Sequence, residues 1–202
     1  TAYEPGSVFK VFSIAGLIEL GGIGPESTFF CDGAYEREFS DDETVVINCL
    51  GRHGEVHANE ILQYSCNAGA AYASETVGKS EFYGKLTDFG FGSPTHLPLP
   101  GETSGLLREP ARWSGRTKPT IAIGQEISVS AVQLVSAATA LTNDGVLLNP
   151  HIVKKIVSSD GTPIETKNRE PLKRVVKPEV ARGMLLMMES ATERSGTAWR
   201  AK

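Results

Sequence analysis

The run VFKVFSIAGLIEL, residues 8–20, is apolar on nearly every helical face, with Lys10, Ser13 and Glu19 as its polar exceptions. Such a helix has no side that suits water and needs neighbours almost all round. Pro5 and Gly6 stand just ahead of it and Gly21-Gly22 ends it, the usual punctuation of a helix start and stop. The chain is therefore expected to fold around this segment. At 202 residues with 40% hydrophobic side chains it is long enough to bury a core, and suits one globular domain or a large part of one. Twenty basic against 24 acidic residues leave a net charge of -4 with no basic block, which argues against nucleic acid as the main partner. No window of about 18 apolar residues is present, so no membrane span lies in these residues. Thr1 is not an initiator Met, and Lys202 follows no closing turn; the chain reads as a portion of something larger.

The rest divides into short elements. Residues 25–53 are turn-rich, with a strand expected over 44–47. Helices are expected over 58–64 and 68–77, the second capped by Asn67, and another over 80–89. Residues 90–119 read as a long Gly/Pro-rich irregular segment of the kind that rims a cleft. Ser130 and Gln133 form a capping box opening a helix to about Asn143, closed by Asp144-Gly145. A strand is expected over 152–157, a turn at Ser159-Asp160-Gly161, the end of a short strand at Val175-Val176, and a last helix from Pro178. The Met residues of that last helix read as core fillers.

The chemistry concentrates at Ser7-Val8-Phe9-Lys10. Positions i and i+3 share a helix face, so Lys10 lies one turn beyond Ser7. A serine hydroxyl becomes a good nucleophile when a base takes its proton. A lysine is such a base only when burial depresses its pKa, and the apolar run supplies burial. Ser7 also falls at a helix start, where free N–H groups suit an oxyanion. The bland reading is a helix cap followed by a chance lysine. Ser65 and Asn67 lie between two helices, where they either relay protons and hold a peptide or simply cap. Cys31, Cys49 and Cys66 are too few for a disulfide scaffold. His53 and His57 share an i,i+4 spacing, but Gly54 and the missing HExxH pattern leave a metal site unsupported; no metal and no cofactor are expected.

Taken in order, these segments resemble class B penicillin-binding proteins, peptidoglycan transpeptidases of the serine acyltransferase fold shared with β-lactamases. Glu4-Pro5-Gly6-Ser7-Val8-Phe9-Lys10 is similar to their nucleophile segment, Ser65-Cys66-Asn67 to their second motif, and Ile123-Gly124-Gln125-Glu126 to their IGQG-type segment. The resemblance covers essentially all of residues 1–202, read as part of one transpeptidase domain. It implies an α+β, β-lactamase/transpeptidase-like fold, here mostly its helical part with a few short strands and an incomplete central sheet. It further implies Ser7 as acyl-enzyme nucleophile, Lys10 as general base, Ser65 as proton relay to the leaving amine, and Asn67 as holder of substrate or of the Lys10 ammonium. The implied substrates are peptidoglycan stem peptides ending in D-Ala-D-Ala. β-Lactams are the implied acylating inhibitors, and cell-wall synthesis proteins the implied partners. The implied location is the extracytoplasmic side of the inner membrane, with an anchoring helix upstream. In such a compartment Cys31 and Cys49 have the chance to pair, leaving Cys66 as a free thiol in the cleft. The alternatives within the superfamily are a D,D-carboxypeptidase, a β-lactamase, or a non-catalytic β-lactam sensor. A third family motif, Lys-Thr-Gly or Lys-Ser-Gly, has only Arg194-Ser195-Gly196 as its counterpart. That run reads either as a variant of the motif or, preferably, as a link following the last helix. On the second reading residues 1–202 are expected to be inactive alone.

Overall fold

A computed structural model describes residues 1–40, 43–98 and 100–201; Asp41, Asp42, Leu99 and Lys202 lie outside it. The apolar run starts as a 3-10 turn over Gly6–Phe9 and continues as α1 (Lys10–Glu19). Two antiparallel ribbons follow: β1 (Phe29–Cys31) pairs with β4 (Gly54–Val56), and between them β2 (Ala34–Ser40) pairs with β3 (Glu43–Asn48). Next come α2 (Ala58–Gln63), α3 (Asn67–Ser74), α4 (Lys79–Asp88), α5 (Thr117–Ala122) and α6 (Ala131–Thr142). Beyond them β5 (Val146–Leu148) pairs with β8 (Pro171–Arg174), enclosing the hairpin of β6 (Lys155–Val157) and β7 (Pro163–Thr166), and α7 (Pro178–Ser190) follows. Helices with, among the described residues, only two-stranded ribbons are the α+β arrangement expected.

The expectation for residues 8–20 is met: α1 is packed against α2, α3, α4, α5 and α7, and Phe12, Ile14, Ala15 and Leu17 are buried. Its leading end sits in an aromatic cluster, with the Phe9 ring 4.8 Å from Phe91 and the Phe12 ring 5.2 Å from Phe91 and 5.6 Å from Phe89. These tilted and edge-on contacts add to the burial of four large rings. Ser13 is fully enclosed on the same helix, and its Oγ has no hydrogen-bond partner among the described residues. An unsatisfied buried hydroxyl costs about 1–3 kcal/mol. Ser13→Ala is therefore expected to raise stability by up to about 1 kcal/mol, read as a higher unfolding midpoint. A lower midpoint would show that the hydroxyl has a partner.

Several local expectations need correction. The cap of α3 is Cys66, whose Sγ accepts from Gly69 N at 3.3 Å, and Asn67 is the first helical residue. The irregular stretch ends earlier than expected because α5 begins at Thr117 with Pro119 in its first turn, where a missing N–H costs no helical bond. The strand expected over 152–157 is confined to Lys155–Val157. Val146–Leu148, too short to show periodicity, is a strand held by its pairing with Lys173 and Arg174. The Ser130 box forms as expected: Ser130 Oγ accepts from Gln133 N at 3.1 Å, and Gln133 Oε1 accepts from Ser130 N at 2.8 Å.

Candidate active site

The 3-10 turn places Ser7 at an exposed edge and directs Lys10 inward. Lys10 Nζ lies 2.7 Å from Ser7 Oγ, while the lysine itself is only 1% exposed. Gly6 adopts φ +57°, which lets the chain turn sharply into the serine. That turn is fixed from outside: Gly6 N donates to Gly124 O at 2.9 Å, and Tyr3 N and Val129 N exchange bonds with each other's carbonyls at 3.0 and 2.9 Å. The Ile123-Gly124-Gln125 segment thus forms the floor under the serine. The N–H of Ser7 falls in the first turn, where helical N–H groups have no acceptor within the turn.

Ser65 and Asn67 reach the same lysine from the α2–α3 junction. Lys10 Nζ is 3.1 Å from Ser65 Oγ, 3.1 Å from Ser65 O and 2.6 Å from Asn67 Oδ1. Ser65 carries φ +54°, a left-handed conformation costly for a residue with a side chain. This strained backbone turns both Ser65 oxygens towards the amine. Asn67 is anchored separately, its Nδ2 donating to Asn48 O at 2.9 Å; a backbone carbonyl of a distant strand carries no mark in the residues alone. All four residues singled out from the sequence are therefore brought together around one nitrogen.

Four oxygens around Nζ exceed the three protons of an ammonium. A neutral amine fits differently: its lone pair accepts the Ser7 O–H, and its two N–H groups serve Asn67 Oδ1 and one Ser65 oxygen. Burial pushes the Lys10 ammonium down to about 8, with the sulfurs of Cys49 and Cys66 acting in the opposite sense. A lysine there is deprotonated in an appreciable fraction near neutral pH. The Ser7 hydroxyl consequently has a base in hydrogen-bond contact, the arrangement needed for acyl transfer.

The strain at Ser65 separates two roles of that residue. Ser65→Gly keeps the left-handed backbone without a side-chain penalty, whereas Ser65→Ala keeps the penalty; both lose the hydroxyl. The glycine variant is expected to be more stable than the alanine variant by about 1 kcal/mol, with acylation impaired in both. Equal melting temperatures would contradict the strain.

The cysteines and histidines depart from expectation. Cys31, Cys49 and Cys66 are all free thiols, so the Cys31–Cys49 bond that the sequence left open is not formed. Cys66 is buried beneath the cleft instead of facing it, because as the cap of α3 its sulfur turns back towards Gly69 N. His57 and His53 also part company. His57 Nδ1 lies 3.1 Å from Ser27 O, while His53 Nδ1 lies 3.6 Å from the sulfurs of both Cys31 and Cys49. The segment Arg194-Ser195-Gly196 forms turns and no strand. Ser195 Oγ accepts from Gln63 Nε2 at 2.9 Å and Thr197 N donates to Gln63 O at 3.0 Å, so the segment is tied to α2 after α7.

The chain matches over residues 1–202 the family described as penicillin binding protein transpeptidase domain. It is 33% identical to penicillin-binding protein PbpB of Mycolicibacterium smegmatis over 95% of this chain and 29% of that protein. It is 34% identical to the probable peptidoglycan D,D-transpeptidase PenA of Neisseria flavescens over 96% of this chain and 44% of that one. The chain thus spans less than half the length of either relative. Its fold superposes on penicillin-binding protein 3 of Mycobacterium tuberculosis, solved in complex with aztreonam, with a TM-score of 0.83 and 30% identity over 96% of this chain and 42% of that one.

Proposed function

This chain belongs to the penicillin-binding protein transpeptidase domain family, and from that premise we propose that it carries the acylation machinery of a peptidoglycan D,D-transpeptidase. The observation that carries the reading is the 2.7 Å contact between Ser7 Oγ and the buried amine of Lys10. The substrate is a stem peptide ending in D-Ala-D-Ala, and a β-lactam is its inhibitory counterpart.

In the first step Lys10 Nζ takes the Ser7 proton as Oγ attacks the carbonyl of the penultimate D-Ala. The resulting oxyanion is met by the Ser7 N–H. Collapse breaks the peptide bond. The Ser65 hydroxyl, in reach of Lys10, passes a proton from the ammonium to the departing D-Ala amine, leaving a Ser7 ester and a neutral lysine. In the second step an amine of a neighbouring stem attacks the ester and gives up its proton. Ser7 recovers a proton and the cross-link is complete. Asn67 Oδ1 holds the amine of Lys10 in line throughout, and its Nδ2 is fixed on Asn48 O. The site works on the extracytoplasmic side of the cell envelope, alongside other cell-wall synthesis proteins; no helix among the described residues is long and apolar enough to cross a membrane.

The test is cross-linking of stem peptides by the full-length protein. Cross-linked dimer with release of one D-Ala per bond is expected. Release of D-Ala without dimer would replace this reading with a carboxypeptidase, and rapid turnover of penicillin would replace it with a β-lactamase.

A further inference from the structure

Four soft or borderline ligand atoms converge directly beneath the Ser65–Asn67 segment. The sulfurs of Cys31, Cys49 and Cys66 and a ring nitrogen of His53 all lie within 4.8 Å of one another. They come from three separate stretches of the chain, Cys49 and His53 sharing one, and each is held by backbone bonds. Cys31 ends β1, and its carbonyl accepts from His53 N at 3.1 Å. Cys49 follows β3, with its N–H on Gly33 O at 2.8 Å. Cys66 N donates to Ile61 O at 2.9 Å. The His53 ring is stacked on Tyr64, centroids 5.4 Å apart and 19° from parallel.

The spacing decides between the two chemistries open to such a group. A disulfide needs sulfurs about 2.05 Å apart and would leave one thiol and the histidine without a role. A tetrahedral zinc with bonds of about 2.3 Å to sulfur and about 2.05 Å to nitrogen has S–S edges of about 3.8 Å and S–N edges of about 3.6 Å. The observed separations are 3.8 Å for Cys49 Sγ to Cys66 Sγ, 3.6 Å for Cys31 Sγ to His53 Nδ1, and 3.6 Å for Cys49 Sγ to His53 Nδ1. Two backbone N–H groups also point at the sulfurs: Asn67 N at 3.2 Å from Cys49 Sγ and Gly69 N at 3.3 Å from Cys66 Sγ. Such donors stabilise sulfur in its thiolate form, the form that binds metal.

We propose that Cys31, Cys49, Cys66 and His53 Nδ1 form a structural zinc site that clamps the Ser65–Cys66–Asn67 segment from below. Three thiolates and an imidazole in a closed tetrahedron select zinc over magnesium or calcium, and leave no open position for a substrate water. Lys10 Nζ bonds to Ser7, Ser65 and Asn67 and to none of the four ligands. The effect of the metal is positional: it ties the strained Ser65 backbone and the start of α3 to the β1–β4 and β2–β3 ribbons. The ligand set was hidden in the sequence because only Cys49 and His53 share a close spacing, while Cys31 and Cys66 lie far from that pair along the chain. Metal binding itself does not depend on the transpeptidase reading.

The experiment uses full-length protein purified in reductant without chelator, with metal content measured by mass spectrometry. One zinc per chain is expected. After chelation and reloading with cobalt, the thiolate-to-cobalt charge-transfer absorption and intense visible bands of a tetrahedral thiolate site are expected. Cys49→Ser and His53→Ala should each weaken zinc binding by roughly tenfold or more, with folding followed by circular dichroism. Should either variant fail to fold, the wild-type zinc content and cobalt spectrum decide the matter. Substoichiometric metal after incubation with zinc, a weak octahedral cobalt spectrum, unchanged affinity in the folded variants, or a disulfide among the three cysteines in the purified protein would each overturn the site.

Discussion

Lys10→Arg is expected to slow acylation by penicillin by about a thousandfold, within the range that general-base catalysis contributes. Arginine keeps the positive charge and much of the length of lysine, but its guanidinium stays protonated at every pH at which the fold survives. It can hold Ser7 and Asn67 by hydrogen bonds and cannot take the serine proton. The wild-type rate carries the complementary signature. The amine is active when deprotonated, and burial lowers its pKa to about 8. Acylation should therefore rise close to tenfold per pH unit below that value and level off above it, where the amine is already neutral. In the arginine variant this rise should vanish. A variant that acylates at a near-normal rate at neutral pH would remove Lys10 as the base. Stopped-flow acylation with a chromogenic cephalosporin across pH reads both effects.

Gly124→Ala is expected to be nearly as damaging without touching any polar group. Gly124 has φ +83°, and a Cβ built there would lie 2.0 Å from Gly6 O, 2.7 Å from Gly6 C and 2.8 Å from Phe9 Cβ. The first two are backbone atoms, so no flexible side chain can give way. The Gly6 turn must move, and Ser7 moves with it. Overpacking of this kind costs about 1–3 kcal/mol, to which the left-handed backbone adds about 1 kcal/mol. A displacement of about 1 Å at the nucleophile costs about a hundredfold in rate. A lower unfolding midpoint together with a hundredfold slower acylation is expected. Retention of both would show that Gly6 and Gly124 are not in contact in solution.

These two sites mark what could and could not be read from the residues alone. Ser7 and Lys10 were legible because one helical turn brings them together, a relation that sequence spacing encodes directly. The burial of the lysine was legible too, since every face of residues 8–20 is apolar. Ser65 and Asn67 were recognisable only in the order of several motifs; nothing local distinguishes them from capping residues. The Gly6–Gly124 approach is a backbone-to-backbone contact between distant segments, and a glycine gives no sign of which carbonyl it must clear. The convergence of Cys31, Cys49, His53 and Cys66 was invisible for a similar reason. It depends on the β1–β4 register, which sets Cys31 opposite Gly54, and on the β2–β3 hairpin returning the chain to Gly33. The possible pairing of Cys31 with Cys49 rested on counting cysteines in an oxidising compartment, and missed that the cap of α3 brings a third sulfur to 3.8 Å from Cys49. Short strands such as Val146–Leu148 exist through their partners and carry no signal of their own.

On the proposed mechanism the Ser7 hydroxyl, with Lys10 as its base, is the group that is acylated. Peptide mass spectrometry of full-length protein treated with benzylpenicillin tests it most directly. A single penicilloyl adduct on the peptide containing Ser7, assigned to that residue by fragmentation and absent from a folded Ser7→Ala variant, is the result expected. An adduct on any other side chain, or labelling that survives in Ser7→Ala, would contradict it.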